Sequence, residues 1–262
     1  MTSHAKIFEA GGVLLAAVLM MTSGSYEAVH AQEVSELLVQ SFAKSKDVVN
    51  AMKEFDAAYG NVLTENGWVD AGGVVDVSAR RAELKDGYYI QQFGAEYKNK
   101  NAGREAPVAD AVGALSDPSV ILQIYYIQEN PHPLGSKHQL DKGDDKSVYS
   151  QVHEKYHPGI RRFLEAQGLY DVFLYRLDGQ NLYTCFKELD FTRSVYDPTL
   201  SSSSLAEVVK ASADAGDKNF TKLAEMRPYL YSYQLPASFV SAPIFDGDQK
   251  IGVLVFQLPP GL

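Results

Sequence analysis

Two pairs of β-rich runs folded around Asp-Gly turns, with a helical stretch between the pairs, constrain this chain more than any other feature. Tyr170 to Arg176 and Asn181 to Lys187 flank Asp178-Gly179, and Ser238 to Phe245 and Lys250 to Gln257 flank Asp246-Gly247-Asp248-Gln249. Asp-Gly between runs of β-branched and aromatic residues is a strong hairpin signal, because the positive φ angles of a tight turn cost glycine little. Between the pairs, Leu205 to Ala213 reads as a helix that the serines Ser201 to Ser204 can cap. Ahead of them, Val148 to Gln167 reads as a helix ending at Gly168. Two hairpins separated by a helix predict an antiparallel sheet with helices on one face, an α+β fold whose sheet domain spans 148–262.

Upstream, Val34, Leu37, Leu38, Phe42, Val48, Val49, Met52, Phe55 and Tyr59 recur at spacings of three, four and seven, so Glu33 to Tyr59 reads as one long helix over 32–60. No Pro or Gly interrupts it. Its apolar stripe serves either packing on its own domain or pairing of two copies, which would make the chain a homodimer through this helix. The stretch 61–147 reads as a helical region, with helices at Ala79 to Tyr97 and Ser119 to Gln128. Ser116-Asp117-Pro118 starts the second and Asn130-Pro131-His132-Pro133 stops it. At the N-terminus, Lys6 precedes the apolar run Gly11 to Met21, and Val29-His30-Ala31 precedes Gln32. That pattern predicts a secretory signal over 1–31 cleaved after Ala31, and hence an exported, periplasmic domain. The apolar core falls short of the ~20 residues that span a bilayer, so a membrane contact is expected only through this segment if it is retained as a signal anchor.

The surface is acidic, with 24 Lys and Arg against 33 Asp and Glu for a net charge of −9. Affinity for nucleic acid comes largely from phosphates neutralised by Lys and Arg, so nucleic acid is excluded as a partner. One cysteine, Cys185, cannot close an intrachain disulfide. The sharpest chemical motif is His153-Glu154-Lys155-Tyr156-His157, an H-E-x-x-H whose two histidines share one helix face. Such a pair can grip zinc while the glutamate polarises a bound water, which makes a secreted zinc hydrolase the alternative function. Against it stand Pro158, directly after the second histidine, and the lack of a signature for a third ligand. There is no G-x-S-x-G elbow or phosphate-binding glycine loop, and Cys185 lies inside a predicted strand. The carboxylates between Leu140 and Ser147 lack EF-hand spacing and read as a solvated loop. No cofactor and no catalytic residue is expected. Sixteen tyrosines, many beside the hairpins, combine flat apolar faces with hydroxyls suited to orienting a small polar ligand. Lys187, Asp190 and Arg193 cluster just after the second strand of the first hairpin, placed to read a carboxylate and an ammonium.

A string of motifs in order carries a resemblance. It runs through Phe93-Gly94-Ala95-Glu96-Tyr97, Asn130-Pro131-His132-Pro133-Leu134-Gly135-Ser136-Lys137, Tyr149-Ser150 with His153 and Tyr156-His157-Pro158, and Tyr170-Asp171-Val172-Phe173-Leu174. It continues with Phe186-Lys187-Glu188-Leu189-Asp190-Phe191, Ser241-Ala242-Pro243-Ile244-Phe245-Asp246 and Gly252-Val253-Leu254-Val255-Phe256-Gln257. From about Phe93 to Leu258 the chain resembles the extracytoplasmic sensor region of bacterial methyl-accepting chemotaxis receptors and related transmembrane cyclases. The resemblance implies a Cache-like, PAS-type ligand-sensing domain behind a long helix, non-enzymatic and binding a small molecule. In that family a second transmembrane helix, a HAMP linker and a signalling module follow. This chain stops at Pro259-Pro260-Gly261-Leu262, so it is expected to bind without itself signalling across a membrane. Thr192-Arg193-Ser194 also departs from the family pattern, which has a small residue, Thr and Ser. In a PAS-like fold the pocket lies between the sheet and the segment that crosses it. Contributions are therefore expected from Tyr149, His153 and Tyr156 on the helix, from Phe173, Tyr175 and Phe186 on the hairpin, from Lys187, Asp190 and Ser194 on the loop, and from Tyr231 and Tyr233. Asp190 is the expected ammonium partner and Lys187 the expected carboxylate partner.

Overall fold

The computed structural model describes residues 24–259. The first 23 residues of the expected signal segment lie outside the described residues, and residues 24–31 begin a helix. The expected single helix is two: α1 (Gly24–Ala43) and α2 (Lys46–Tyr59). Ser45 makes the break, leaving the helical region at φ −68° and ψ 143°, and its hydroxyl accepts the Val48 N–H at 3.3 Å. A capping serine can end one helix and start the next without proline or glycine, because its side chain replaces the missing backbone acceptor. The apolar stripe is used at home: Phe42, Val48, Met52 and Phe55 are buried in the domain's own core, while Leu37 is exposed.

A short helix α3 (Val62–Glu65) and a two-stranded ribbon, β1 (Val69–Asp70) with β2 (Gly73–Val74), lead into the helical region. There α4 (Ser78–Leu84) runs through a π-helical stretch, Lys85–Gly94, into α5 (Ala95–Lys100). After α6 (Val108–Gly113), α7 (Asp117–Gln123) starts on the Ser116 cap and likewise widens into a π-helical stretch, Ile124–Gln128. The 20-residue α8 (Val148–Gln167) starts on the Ser147 cap, carries Pro158 inside and ends at Gly168, whose φ of 65° is the left-handed conformation a helix C-terminus favours in glycine.

Both predicted hairpins form: β3 (Asp171–Tyr175) with β4 (Asn181–Thr184), and β8 (Phe239–Asp246) with β9 (Gln249–Gln257). Between them lie α9 (Ser204–Asp214), β5 (Lys222–Leu223), and a ribbon of β6 (Arg227–Tyr229) and β7 (Leu235–Ala237). The main sheet is antiparallel in the order β4-β3-β9-β8-β5, so the first and last strands in sequence, joined by the pairs Asp171 with Gln257 and Tyr175 with Val253, weld the two hairpins together. The fold is α+β.

Helices cover both faces of this sheet, not one. Val240 and Phe256 are cross-strand partners on one face, where Phe256 meets Phe42 of α1 at 5.9 Å and Phe163 of α8 at 5.8 Å between ring centroids. Ser241, next along β8, points the other way and its hydroxyl lies 2.8 Å from that of Ser212 on α9. Burial on both faces explains the near-continuous apolar runs Val172 to Tyr175 and Val253 to Phe256, which a half-solvated strand would break by alternation. Among the described residues, no helix is long and apolar enough to cross a membrane.

Candidate functional site

Four remote segments converge on a cavity of about 230 Å³. The π-helical stretch supplies Tyr88 and Phe93, the loop before α8 supplies Leu134, Gly135 and Lys137, the ends of the first hairpin supply Tyr170 and Phe186 to Leu189, and the β6–β7 ribbon supplies Tyr231, Tyr233 and Leu235. Glu96 and the exposed Lys100 complete the lining. Its rings are paired: Phe93 stacks on Tyr233 with centroids 5.1 Å apart, and Tyr170 stacks on Phe186 at the same distance.

Local backbone conformation places these side chains. Tyr88 faces the cavity while its neighbour Tyr89 is fully buried, donating to Gln123 Oε1 at 2.6 Å and accepting from Arg193 Nη2 at 2.7 Å. Tyr233 and Gln234 follow one another in the left-handed region, at φ 57° and 63°, and Lys187 joins them at 63°. Side chains with a Cβ pay about 1–2 kcal/mol for that conformation, so it persists where surrounding contacts hold it. Here Asn101 Nδ2 donates to Tyr233 O at 3.1 Å, Gln234 Nε2 donates to the Tyr97 hydroxyl at 3.1 Å, and Lys100 Nζ lies 4.4 Å from the Tyr233 ring centroid.

Carboxylates cluster at the wall and behind it. Glu188 lines the cavity, half-buried, and accepts from the Tyr170 hydroxyl at 2.7 Å and from Ser232 Oγ at 3.3 Å. Burial, then the nearby Asp190 charge, hold its carboxyl well above the usual range. Asp190 is fully buried; its Oδ2 accepts from the Tyr229 hydroxyl at 2.6 Å and its Oδ1 has no hydrogen-bond partner among the described residues. Burial pushes it up to about 6, against the pull of that bond and of Arg193. Asp171 Oδ1 accepts the N–H groups of Val172, Cys185 and Phe186 at 2.6 to 2.9 Å, while Oδ2 has no partner among the described residues. Burial and then Asp190 raise it to about 8. Arg193, also buried, donates to Leu189 O at 2.7 Å and to Asp197 Oδ2 at 2.5 Å. Burial opposes its charge, and Tyr89, Tyr231 and Asp197 more than offset that.

Of the residues expected from sequence, Phe186, Lys187, Tyr231 and Tyr233 line the cavity. Lys187 turns its ammonium elsewhere: Nζ donates to Thr184 O and lies 4.4 Å from the Tyr183 ring centroid and 4.9 Å from that of Phe191. The left-handed backbone at Lys187 redirects the side chain, and burial lowers its pKa to about 8. Asp190 is not part of the lining; Tyr229 holds it in the interior. Phe173 and Tyr175 are fully buried within the sheet packing, Phe173 edge-on to Phe239 at 6.1 Å. Ser194 accepts the Tyr196 N–H at 3.2 Å outside the cavity. The α8 residues lie elsewhere because α8 packs on α2: Tyr149 and His153 surround Phe55, at 5.2 and 6.4 Å, and the Tyr156 hydroxyl donates to Glu54 at 2.7 Å. Sequence reasoning missed Lys137, Glu188, Tyr170, Tyr88 and Phe93 as wall residues, although all but Tyr88 stand inside the quoted motif strings.

The H-E-x-x-H geometry does not present a metal-donor set. His153 Nδ1–H donates to Asp141 O at 2.7 Å, and His157 Nε2–H donates to His138 O at 2.6 Å. The Tyr183 hydroxyl, 2.7 Å away, occupies the remaining His157 nitrogen. The imidazoles stack face to face at 4.3 Å, and burial pulls both well below the ordinary histidine range. Glu154 points outward to Lys142, 2.9 Å away. Among the described residues, no group of three or more His, Cys, Asp or Glu side chains is placed to hold a metal ion.

Comparison of the chain with protein-family models, curated proteins and solved structures gave no match.

Proposed function

We propose that this chain is a periplasmic, non-enzymatic ligand-binding sensor domain, PAS-like and of the Cache type, from a chemoreceptor-like signal transduction protein, and that it binds a small polar molecule in the aromatic cavity. The observation that carries the reading is convergence: side chains from the π-helical stretch, the loop before α8, the first hairpin and the β6–β7 ribbon meet around about 230 Å³. An aromatic enclosure with a few polar groups is what a small-molecule site requires. The cavity also lies between the first hairpin and the segment crossing to the second, where a PAS-like domain would hold its ligand. Burial pushes the Cys185 thiol up to about 12, which argues against a thiolate nucleophile at that position. Export rests on the pattern of residues 1–31, and membrane attachment on its retention. A homodimer through the N-terminal helix would use its outer surface around Leu37, because the inner stripe is occupied.

A thermal-shift screen of amino acids, organic acids, amines and purines tests this. A ligand at a hundredfold excess over Kd adds about 2.7 kcal/mol to stability, so at least one class should raise Tm. A melting temperature unmoved by every class overturns the small-ligand reading.

A further inference from the structure

Resting on that reading, we propose that the ligand is a small organic monocarboxylate with an apolar or aromatic body, and that its carboxylate docks on Lys137. Lys137 is 4% exposed, lines the cavity and carries an ammonium whose one hydrogen bond runs to Asn130 O at 2.9 Å. That ammonium lies 5.6 Å from the ring centroid of Tyr88, another wall, with no carboxylate in ion-pair contact among the described residues. An ammonium has three donors, so two are unspent at the edge of an enclosed space. A buried charge without a counterion is costly, which makes its absence informative in a protein of net charge −9. Lys53, Lys98, Lys142 and Lys155 are all more exposed, and each sits on a carboxylate at 2.5 to 2.9 Å.

The loop is built to hold this lysine in place. Asn130 Nδ2 donates to Tyr126 O at 2.8 Å and to Lys137 O at 2.9 Å, while Asn130 Oδ1 accepts the His132 N–H at 3.0 Å. Asn130 and Lys137 thus bind each other in both directions and close the Asn130-to-Lys137 string into a fixed ring of chain. Gly135, at φ 81°, supplies the left-handed turn inside it.

The remaining groups decide the charge of the ligand. Lys187 directs its ammonium at Thr184 O among the Tyr183, Phe191 and Tyr126 rings, away from the cavity, whereas the Lys137 ammonium lies beside the wall residue Tyr88. Glu188 lines the same cavity and Lys100 is already paired with Glu96 at 3.4 Å, so a dianion such as phosphate would meet Lys137 beside a carboxyl, whereas a monocarboxylate is matched by Lys137 alone. A cationic ligand is disfavoured because both Glu188 oxygens already accept hydrogen bonds and burial keeps that carboxyl toward its neutral form. The stacked rings then take the ligand's body.

Thermal shift and calorimetry on the full chain distinguish the possibilities, using acetate, propionate, benzoate and phenylacetate, the matched amines ethylamine, benzylamine and phenethylamine, and inorganic phosphate. The expected result is binding by one or more carboxylates and not by the amines, weakened at least tenfold in Lys137→Met and unchanged in the surface control Lys155→Met. Lys137→Arg, which keeps the charge, should retain part of the affinity and guards against a folding defect in the first variant. Binding by amines or by phosphate without carboxylates, or carboxylate binding that survives Lys137→Met, overturns this inference and leaves the sensor reading standing. If no probe binds but another class in the wider screen does, the inference again falls alone; if nothing in either set binds, both fall.

Discussion

Two tyrosine hydroxyls set in the same core show how far a single polar atom's worth depends on its partner. Tyr149 donates to Leu182 O at 2.7 Å, whereas the equally buried Tyr175 hydroxyl has no partner at hydrogen-bond geometry among the described residues. Removing a satisfied buried hydroxyl costs about 1 kcal/mol, and removing an unsatisfied one recovers part of its desolvation penalty. Tyr149→Phe should therefore lower the urea midpoint while Tyr175→Phe leaves it unchanged or raises it; equal losses in both would contradict the assignment. The same dependence explains which site residues were legible. Phe186, Tyr231 and Tyr233 reach the cavity because aromatic residues flanking a hairpin have few other places to go. Lys187 and Asp190 stand in the sequence as the expected carboxylate and ammonium partners, but a left-handed φ at Lys187 and one bond from Tyr229 to Asp190 turn their charged groups away from the cavity. Neither is written in residue type or spacing. Lys137 was visible only as the end of a motif, since its lack of a counterion is a property of three dimensions.

At the scale of elements, Asp178-Gly179 and Asp246-Gly247 marked both hairpins, since turn chemistry is local and glycine takes the positive φ of 84° and 59° found there. The joining of β3 to β9 was not marked, because Asp171 and Gln257 are brought together by the whole intervening chain. A 3.6-residue period also cannot announce Lys85–Gly94, where wider turns send Tyr88 to the cavity and Tyr89 to Arg193. The single helix that the apolar spacing predicts breaks at Ser45 for a comparable reason: the spacing continues across the break, and only the cap geometry reveals it. That cap is open to test. Ser45→Ala removes the acceptor for Val48 N–H and should cost about 1 kcal/mol, with Tm falling by a few degrees. Were the segment continuous, alanine, the better helix former, would instead stabilise it.

For the whole molecule, the buried carboxyls make stability depend on pH in a direction opposite to that of most acidic proteins. Asp171 is raised to about 8, Asp190 to about 6 and Glu188 well above its ordinary value, in each case chiefly by burial. A carboxyl whose folded pKa lies above the unfolded one binds its proton more tightly in the folded state. Its contribution is complete below the unfolded value and is lost as pH rises through the folded one. His153 and His157, held well below the ordinary range by burial, act in the other sense: stability falls as pH drops below their unfolded value of about 6.5. Lys187, lowered to about 8 by burial, loses stability as pH falls from its unfolded value toward 8 and is level below that. Between pH 6.5 and 8 the carboxyls outweigh the fading tail of the histidine titration, so stability should decline as pH rises across that window. Asp171→Asn keeps an oxygen for the Val172, Cys185 and Phe186 N–H groups and removes the titration, so it should flatten the decline by up to about 2 kcal/mol. Urea denaturation of both proteins at pH 6.5 and 8 measures this. A wild-type protein equally stable at the two pH values, or a variant with an undiminished slope, would show that Asp171 keeps an ordinary carboxyl affinity in the fold.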